Sequence, residues 1–205
     1  MSWVVGFDLD LTLIDSRPGV ARAIDRLAEE FGLAVNGDEL AVKLGPPLAD
    51  LLAEAGVDVE MIPELIGWYR AFYPSIVAEV PAMPGAGAAL DAVAGRGGRV
   101  LVVTGKHAPL ARLHIDELGW RVDHLAGDLW AAGKAGALRE QGASVYVGDH
   151  IGDMRGARAA GVVAVGVTTG PCDAAELRSA GADVVLADLT EFPDWFADFD
   201  RAATA

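Results

Sequence analysis

Six short apolar runs, each stopping at a turn or a polar residue, constrain this chain more than any other feature. Ser2–Phe7 halts at Asp8, Arg99–Val103 leads into Thr104-Gly105-Lys106, and Ser144–Val147 leads into Gly148-Asp149-His150-Ile151-Gly152-Asp153. Val162–Val167 is a fourth run, and Val122–Ala126 and Asp183–Leu186 are weaker ones. Runs of this length bounded by turn signals read as buried strands. Helical patterns lie between them. One is marked by Leu110, Leu113 and Leu118 and opened by Pro109; Lys134–Gln141 ends at Gly142, and Asp153–Ala160 ends at Gly161. Strands alternating with helices specify an α/β fold with a Rossmann-like, doubly wound parallel sheet.

One connection breaks that rhythm. Far more residues separate the first strand from Arg99 than one crossover helix needs. The excess carries helical spacing throughout. Val20, Ala23, Ile24, Leu27, Ala28 and Phe31 form one stripe, and Leu48, Leu51 and Leu52 form a second after Gly45-Pro46-Pro47. A third runs through Ile62, Leu65, Ile66, Tyr69, Phe72, Ile76 and Val77. Stiff junctions bracket the block at Ser16-Arg17-Pro18-Gly19 and Pro81-Ala82-Met83-Pro84-Gly85. The expectation is a helical cap over residues 16–82, hinged at those junctions, inserted into a core made of residues 1–15 and 83–205.

Charge narrows the partners. Sixteen Lys and Arg against 30 Asp and Glu give a formal charge of −14, which argues against a broad face for nucleic acid or an anionic membrane. Cys172 is the only cysteine, so no internal disulfide and no cysteine-based zinc site can form. Without a signal-peptide pattern or an apolar run of membrane-spanning length, a cytoplasmic protein is expected, as monomer or homodimer.

In an open α/β sheet, ligands bind beyond the carboxyl ends of the strands. Those ends carry Asp8 and Asp10 after the first run, Thr104 and Gly105 after the second, and Asp149 and Asp153 after the third long one. Carboxylates at that density repel one another unless they share a cation, and magnesium takes hard oxygen ligands with water and phosphate completing its shell. Asp8 and Asp149 are the candidate ligands, with the backbone carbonyl of Asp10 a third and Asp153 joining directly or through water. For a phosphate group opposite the metal, Thr104 and the Gly105 amide offer neutral donors and Lys134 offers charge. Singly, each has a plainer role: Asp8 and Asp10 as turn formers, Lys134 as a solvated helix lysine, Asp149 and Asp153 as a cap and a first-turn acid. His107 and His150 border the same edge with no visible carboxylate or metal partner.

Taken in order, Asp8-Leu9-Asp10-Leu11-Thr12, Thr104, Lys134 and Gly148-Asp149-His150-Ile151-Gly152-Asp153 resemble the four motifs of the haloacid-dehalogenase-like hydrolase superfamily. The helical insert resembles its C1 cap. Phe7–Ser16 and Gly45-Pro46-Pro47-Leu48 look closest to the phosphoglycolate-phosphatase-like branch. Leu11 stands where that branch usually has Gly, and Ala135-Gly136 follows Lys134 where Pro is frequent. The resemblance implies a magnesium-dependent phosphatase of small phosphomonoesters, phosphoglycolate-like or sugar phosphates. Asp8 would be the nucleophile that forms an aspartyl-phosphate and Asp10 the general acid and base, with Thr104 and Lys134 as the further catalytic groups. Asp15, Lys43 and Arg70 are candidates for reading the leaving group, against a solvated surface role for each.

A sugar phosphomutase would keep all of these core residues and is the enzymatic alternative. A dehalogenase or phosphonatase of the superfamily would lack Asp10. Outside enzymes, a phospho-accepting receiver domain would place its acceptor where Thr104 stands. A catalytically dead binding protein would not be expected to keep Asp8, Asp10, Lys134 and Asp149 together.

Overall fold

The computed structural model describes residues 3–204, with side chains through residue 200. Ser2, the start of the first expected strand, lies outside them. The chain begins with strand β1 (Val4–Phe7), followed by helices α1 (Arg17–Phe31), α2 (Gly37–Ala41), α3 (Leu48–Glu54) and α4 (Ile62–Phe72). Next come α5 (Ala86–Ala94), β2 (Arg99–Val103), α6 (Ala108–Glu117), β3 (His124–Ala126), α7 (Lys134–Glu140) and β4 (Val145–Gly148). The chain closes with α8 (Ile151–Ala160), β5 (Val163–Val167), α9 (Ala174–Ser179), β6 (Val184–Leu186) and α10 (Phe192–Thr204).

The strands form one parallel sheet in the order β3-β2-β1-β4-β5-β6. All six expected strands are present: β2 has the expected bounds, β4 is shifted by one residue, and the other four start later than expected. Side chains alternate across the sheet as the twofold strand period requires. Val5, Phe7, Val102, Val147 and Val165 enter one apolar layer, covered by α5, α6 and α10 through Leu90, Ile115, Phe192 and Phe196. Leu101, Val103, Tyr146 and Ala164 enter the other, covered by α7, α8 and α9 through Leu138, Met154 and Leu177. The strand order reverses between β1 and β4, the crevice where doubly wound sheets bind ligands.

Helices α1 to α4 surround a third apolar cluster that includes Ile24, Leu27, Leu52, Leu65 and Tyr73. Two expectations for individual helices need correction. The stripe from Ile62 to Val77 is not one helix: α4 ends at Phe72 and a 3₁₀ segment follows over Tyr73–Glu79. Pro74 supplies no amide hydrogen to continue the α-helical ladder, and the tighter 3₁₀ turn follows with Tyr73 still in the helical region. In α6, Leu113 faces solvent and Leu118 lies past the helix end; the buried face is Leu110, Ala111, His114 and Ile115.

The two chain crossings between this helical block and the sheet run side by side. Asp15 N donates to Pro81 O (2.9 Å), Met83 N donates to Leu13 O (2.8 Å), and Ile14 pairs with Ala82 in an antiparallel bridge.

Candidate active site

Asp8 follows β1 directly, and its amide still donates to Val147 O of β4 at 2.8 Å. The next residues fold tightly. Leu13 and Ile14 both donate to Leu9 O, and Leu11 sits at φ 60°, a left-handed conformation that a side chain disfavours. The branch's usual glycine therefore marks a real backbone demand, and here buried Leu11 meets it with a side chain attached.

Asp8, Asp149 and Asp153 are buried and offer oxygens that all lie within 4.8 Å of one another. Asp149 follows β4, and Thr12 Oγ1 donates to it at 2.7 Å. Asp153 sits in the first turn of α8; its Oδ2 accepts from the His150 amide (3.1 Å), and His150 is the N-cap. Side chains at Gly148 or Gly170 would run into Asp153 and Asp149 respectively, so the backbone there comes as close as glycine allows.

Lys134 is fully buried, which excludes the solvated-lysine role. Its Nζ donates to Asp153 Oδ1 (2.6 Å) and to Tyr146 Oη (2.9 Å), and stands 3.1 Å from Asp8 Oδ1. Tyr146 in turn donates to Val103 O at 2.6 Å, which leaves its lone pairs to hold the lysine. Asp8 Oδ1 has that ion-pair neighbour but no well-aligned hydrogen bond. Burial, with the charges of Asp153 and Asp10, pushes Asp8 up to about 7 against the pull of Lys134. Asp149 is driven well above the usual carboxylate range by burial and by Asp153 and Asp8. Three crowded, desolvated carboxylates and an under-bonded oxygen are the donor set that a hard divalent cation satisfies, so the residues fit magnesium.

Asp10 is in different company. Lys106 Nζ donates to it at 2.9 Å and to Tyr73 Oη at 3.0 Å, and lies 4.4 Å from the Tyr73 ring centroid. His114 Nε2 is 3.2 Å from the same hydroxyl. Burial acts upward on Asp10, but the Lys106 charge and hydrogen bond outweigh it and hold the carboxyl below its ordinary value. Thr104 is buried beside them, its Oγ1 accepting from the Lys106 amide at 3.2 Å.

A cavity of about 240 Å³ opens from Asp8, Asp10, Thr104 and Gly105 toward the helical block. Of the three leaving-group candidates it takes one. Arg70 lines it, 3.4 Å from Asp128, whereas Asp15 pairs with Arg17 (2.7 Å) and Lys43 is exposed away from the lining. His107 does have a carboxylate partner, contrary to expectation: Nδ1 is 3.1 Å from both Asp128 oxygens. Lys106, Tyr73, Tyr146 and Asp128 carry much of this geometry without having been singled out by the sequence. Only Tyr146 left a signal, as the lone polar side chain inside a buried valine run.

The parallel sheet in this order carries its acidic residues at the reversal of strand order, where doubly wound folds place their sites. The profile of the haloacid dehalogenase-like hydrolases matches residues 5–158, and the chain belongs to that family. Its sequence relatives place it in the phosphoglycolate-phosphatase-like branch. It is 32% identical over 221 residues to a phosphoglycolate phosphatase of Rhodospirillum rubrum, covering 95% of this chain and 91% of that one. A phosphoglycolate phosphatase of Chromobacterium violaceum is 30% identical over 214 residues, covering 93% and 94%. The fold matches a haloacid dehalogenase-like family hydrolase of Streptococcus pneumoniae with a TM-score of 0.83 at 23% identity, over 95% of this chain and 98% of that one. A hydrolase of Pseudomonas syringae matches at 0.80 and 21%, over 97% and 99%. Among the described residues, no helix is long and apolar enough to cross a membrane.

Proposed function

We propose that this family member, a phosphoric monoester hydrolase, moves the phosphoryl group of a small phosphomonoester first to Asp8 and then to water. The carrying observation is that Asp8 and Asp10, two residues apart, occupy opposite electrostatic settings within reach of one cavity. The Asp8 carboxylate attacks phosphorus in line with the departing oxygen, the P–O bond to the alcohol breaks, and Asp10 delivers the proton that the alkoxide needs. Asp10, now ionised, takes a proton from the water that attacks the aspartyl-phosphate, releasing phosphate and restoring Asp8. The Lys106 pair favours the ionised form of Asp10 that this second half requires. Arrival of a phosphate dianion beside Asp10 favours the protonated form that the first half requires. Lys134 and the hydroxyl of Thr104 neutralise the equatorial oxygens, with the Gly105 amide beside them.

Magnesium would be held by Asp8, Asp149 and the Asp10 carbonyl, with Asp153 alongside, and would supply positive charge to nucleophile and phosphoryl group together. Residues 16–82 act as a cap that excludes bulk water and bounds the alcohol side of the cavity. The relatives named as phosphatases support this reading at the level of reaction class.

Intact mass spectrometry after brief mixing with p-nitrophenyl phosphate and magnesium tests it. Asp10→Asn should gain one phosphoryl group, because this leaving group needs little acid help and the adduct then stalls without a base. Asp8→Asn should gain none. Labelling of Asp8→Asn would overturn the assignment.

A further inference from the structure

We propose that the alcohol half of the substrate is uncharged and largely apolar, so that short alkyl monophosphates are preferred over 2-phosphoglycolate and polyol phosphates. This rests on the phosphatase reading above and narrows it.

The cavity is small for a ligand site, and one end is committed to the phosphoryl group at Asp8 and Thr104. The alcohol carbons must therefore run toward the helical block. There they meet Leu44, Pro46, Pro47, Leu48, Leu51 and Ile66, whose side chains offer neither donor nor acceptor. Pro46 and Pro47 lack amide hydrogens as well, which thins even the backbone donors where a polyol would need them.

The cations that line the cavity are already engaged. Lys106 is 7% exposed and bound to Asp10 and the Tyr73 hydroxyl, with its ammonium over the Tyr73 ring. A substrate carboxylate there would put a second anion on one buried ammonium, next to the phosphate dianion. Arg70 stands at the rim against Asp128, and Asp128 also accepts from the Ala108 amide at 3.2 Å. A carboxylate approaching Arg70 would meet the Asp128 charge. Burying a carboxylate against proline and leucine, with neutral donors from Tyr69 and Trp130 and no unpaired cation in the lining, is strongly unfavourable, whereas each methylene placed there gains.

The test uses the full chain with magnesium and measures phosphate release from ethyl, propyl and butyl phosphate, glycerol 3-phosphate, 2-phosphoglycolate and p-nitrophenyl phosphate. From ethyl to butyl, kcat/KM should rise about fourfold per methylene. Butyl phosphate should exceed glycerol 3-phosphate and 2-phosphoglycolate by at least about tenfold. Ile66→Lys, or Leu48→Lys as an independent second position, should shift the ratio of 2-phosphoglycolate to butyl phosphate upward by about tenfold, with far-UV circular dichroism and a cooperative urea transition reporting a folded chain. If 2-phosphoglycolate or glycerol 3-phosphate matches butyl phosphate, or if only p-nitrophenyl phosphate is cleaved, the apolar assignment is overturned while the phosphatase reading stands. An unchanged ratio in both lysine variants also overturns it. If no ester in the panel is cleaved, the phosphatase reading fails and this proposal fails with it.

Discussion

Two buried charge clusters flank the loop from Asp8 to Asp10, and they are built to opposite rules. On the sheet side, Asp8, Asp149 and Asp153 share one ammonium, Lys134. On the helical side, Asp10 faces Lys106 one to one, with Tyr73 taking a further proton of the ammonium. The first cluster is left short of positive charge and the second is balanced. Asp8 is accordingly raised and Asp10 lowered, although Asp8 is buried, Asp10 is partly so, and both leave the same turn. Burial alone does not set an ionisable group's behaviour; the count of opposite charges within its shell does.

The largest expected effects test this difference in turnover. With butyl phosphate, Asp8→Asn should be inactive, because under the proposed mechanism it loses the nucleophile and a metal ligand together. Asp10→Asn should lose roughly 10²–10⁴-fold, the range of a general acid and base. Chelation of magnesium should match the Asp8 result, and equal losses in the two variants would erase the distinction.

Stability sharpens it further. Urea titration in chelator should show Asp10→Asn destabilised by about 3 kcal/mol, since Lys106 is left buried without its carboxylate. Asp149→Asn should instead be more stable than the parent, because it removes one of three crowded carboxylates, and magnesium should no longer raise its melting temperature. Destabilisation of both would mean that the sheet-side cluster is balanced after all.

A smaller effect is expected from His114, which touches Tyr73 at the edge of the balanced cluster. Burial, aided by the Lys106 charge, lowers it to about 4 from an ordinary 6.5. The unfolded chain therefore binds a proton that the folded chain refuses between those values, and stability falls as pH drops from 6.5 toward 4. Relative to His114→Gln, the parent should lose about 2 kcal/mol between pH 7 and pH 4.5. Parallel pH curves would show that His114 is not held neutral. The smallest effect belongs to Leu11→Gly, where relief of roughly 1–2 kcal/mol of left-handed strain offsets part of the roughly 2–3 kcal/mol of lost burial, leaving a loss of about 1 kcal/mol. A loss of about 3 kcal/mol or more, read by denaturant titration, would mean that the turn is not strained.

The sheet-side cluster was legible in the sequence because Asp8 and Asp149 sit at the ends of short apolar runs with Asp153 one helical turn later, and strand ends in a doubly wound sheet converge by topology. Asp8, Asp149 and Asp153 needed no knowledge of packing. The helical-side cluster was not legible, since it depends on how the block docks. Lys106 meets Tyr73 where α4 gives way to the 3₁₀ segment, and the periodicity there reads as one continuous helix. Arg70 and His107 were named from the sequence, but their pairing was hidden, because Asp128 lies in a loop at φ 58° whose course no spacing rule gives. Leu11 shows the reverse: the residue looked like an exception to a glycine turn, and the turn kept its geometry regardless.

The pairing of Leu13–Asp15 with Pro81–Met83 bears on how such a chain diversifies. Both crossings are stitched together on the sheet's side, so a turn of a few residues would close the gap if everything between them were removed. The chain enters and leaves the block through this one stalk, and the block's apolar interior is largely its own, joined by Leu110 of α6. Drift in its lining at Leu44, Leu48 or Ile66 leaves strand pairing and the phosphoryl-handling groups untouched. A lineage can therefore retune which alcohol is accepted at the stalk's far end while inheriting the phosphorus chemistry unchanged.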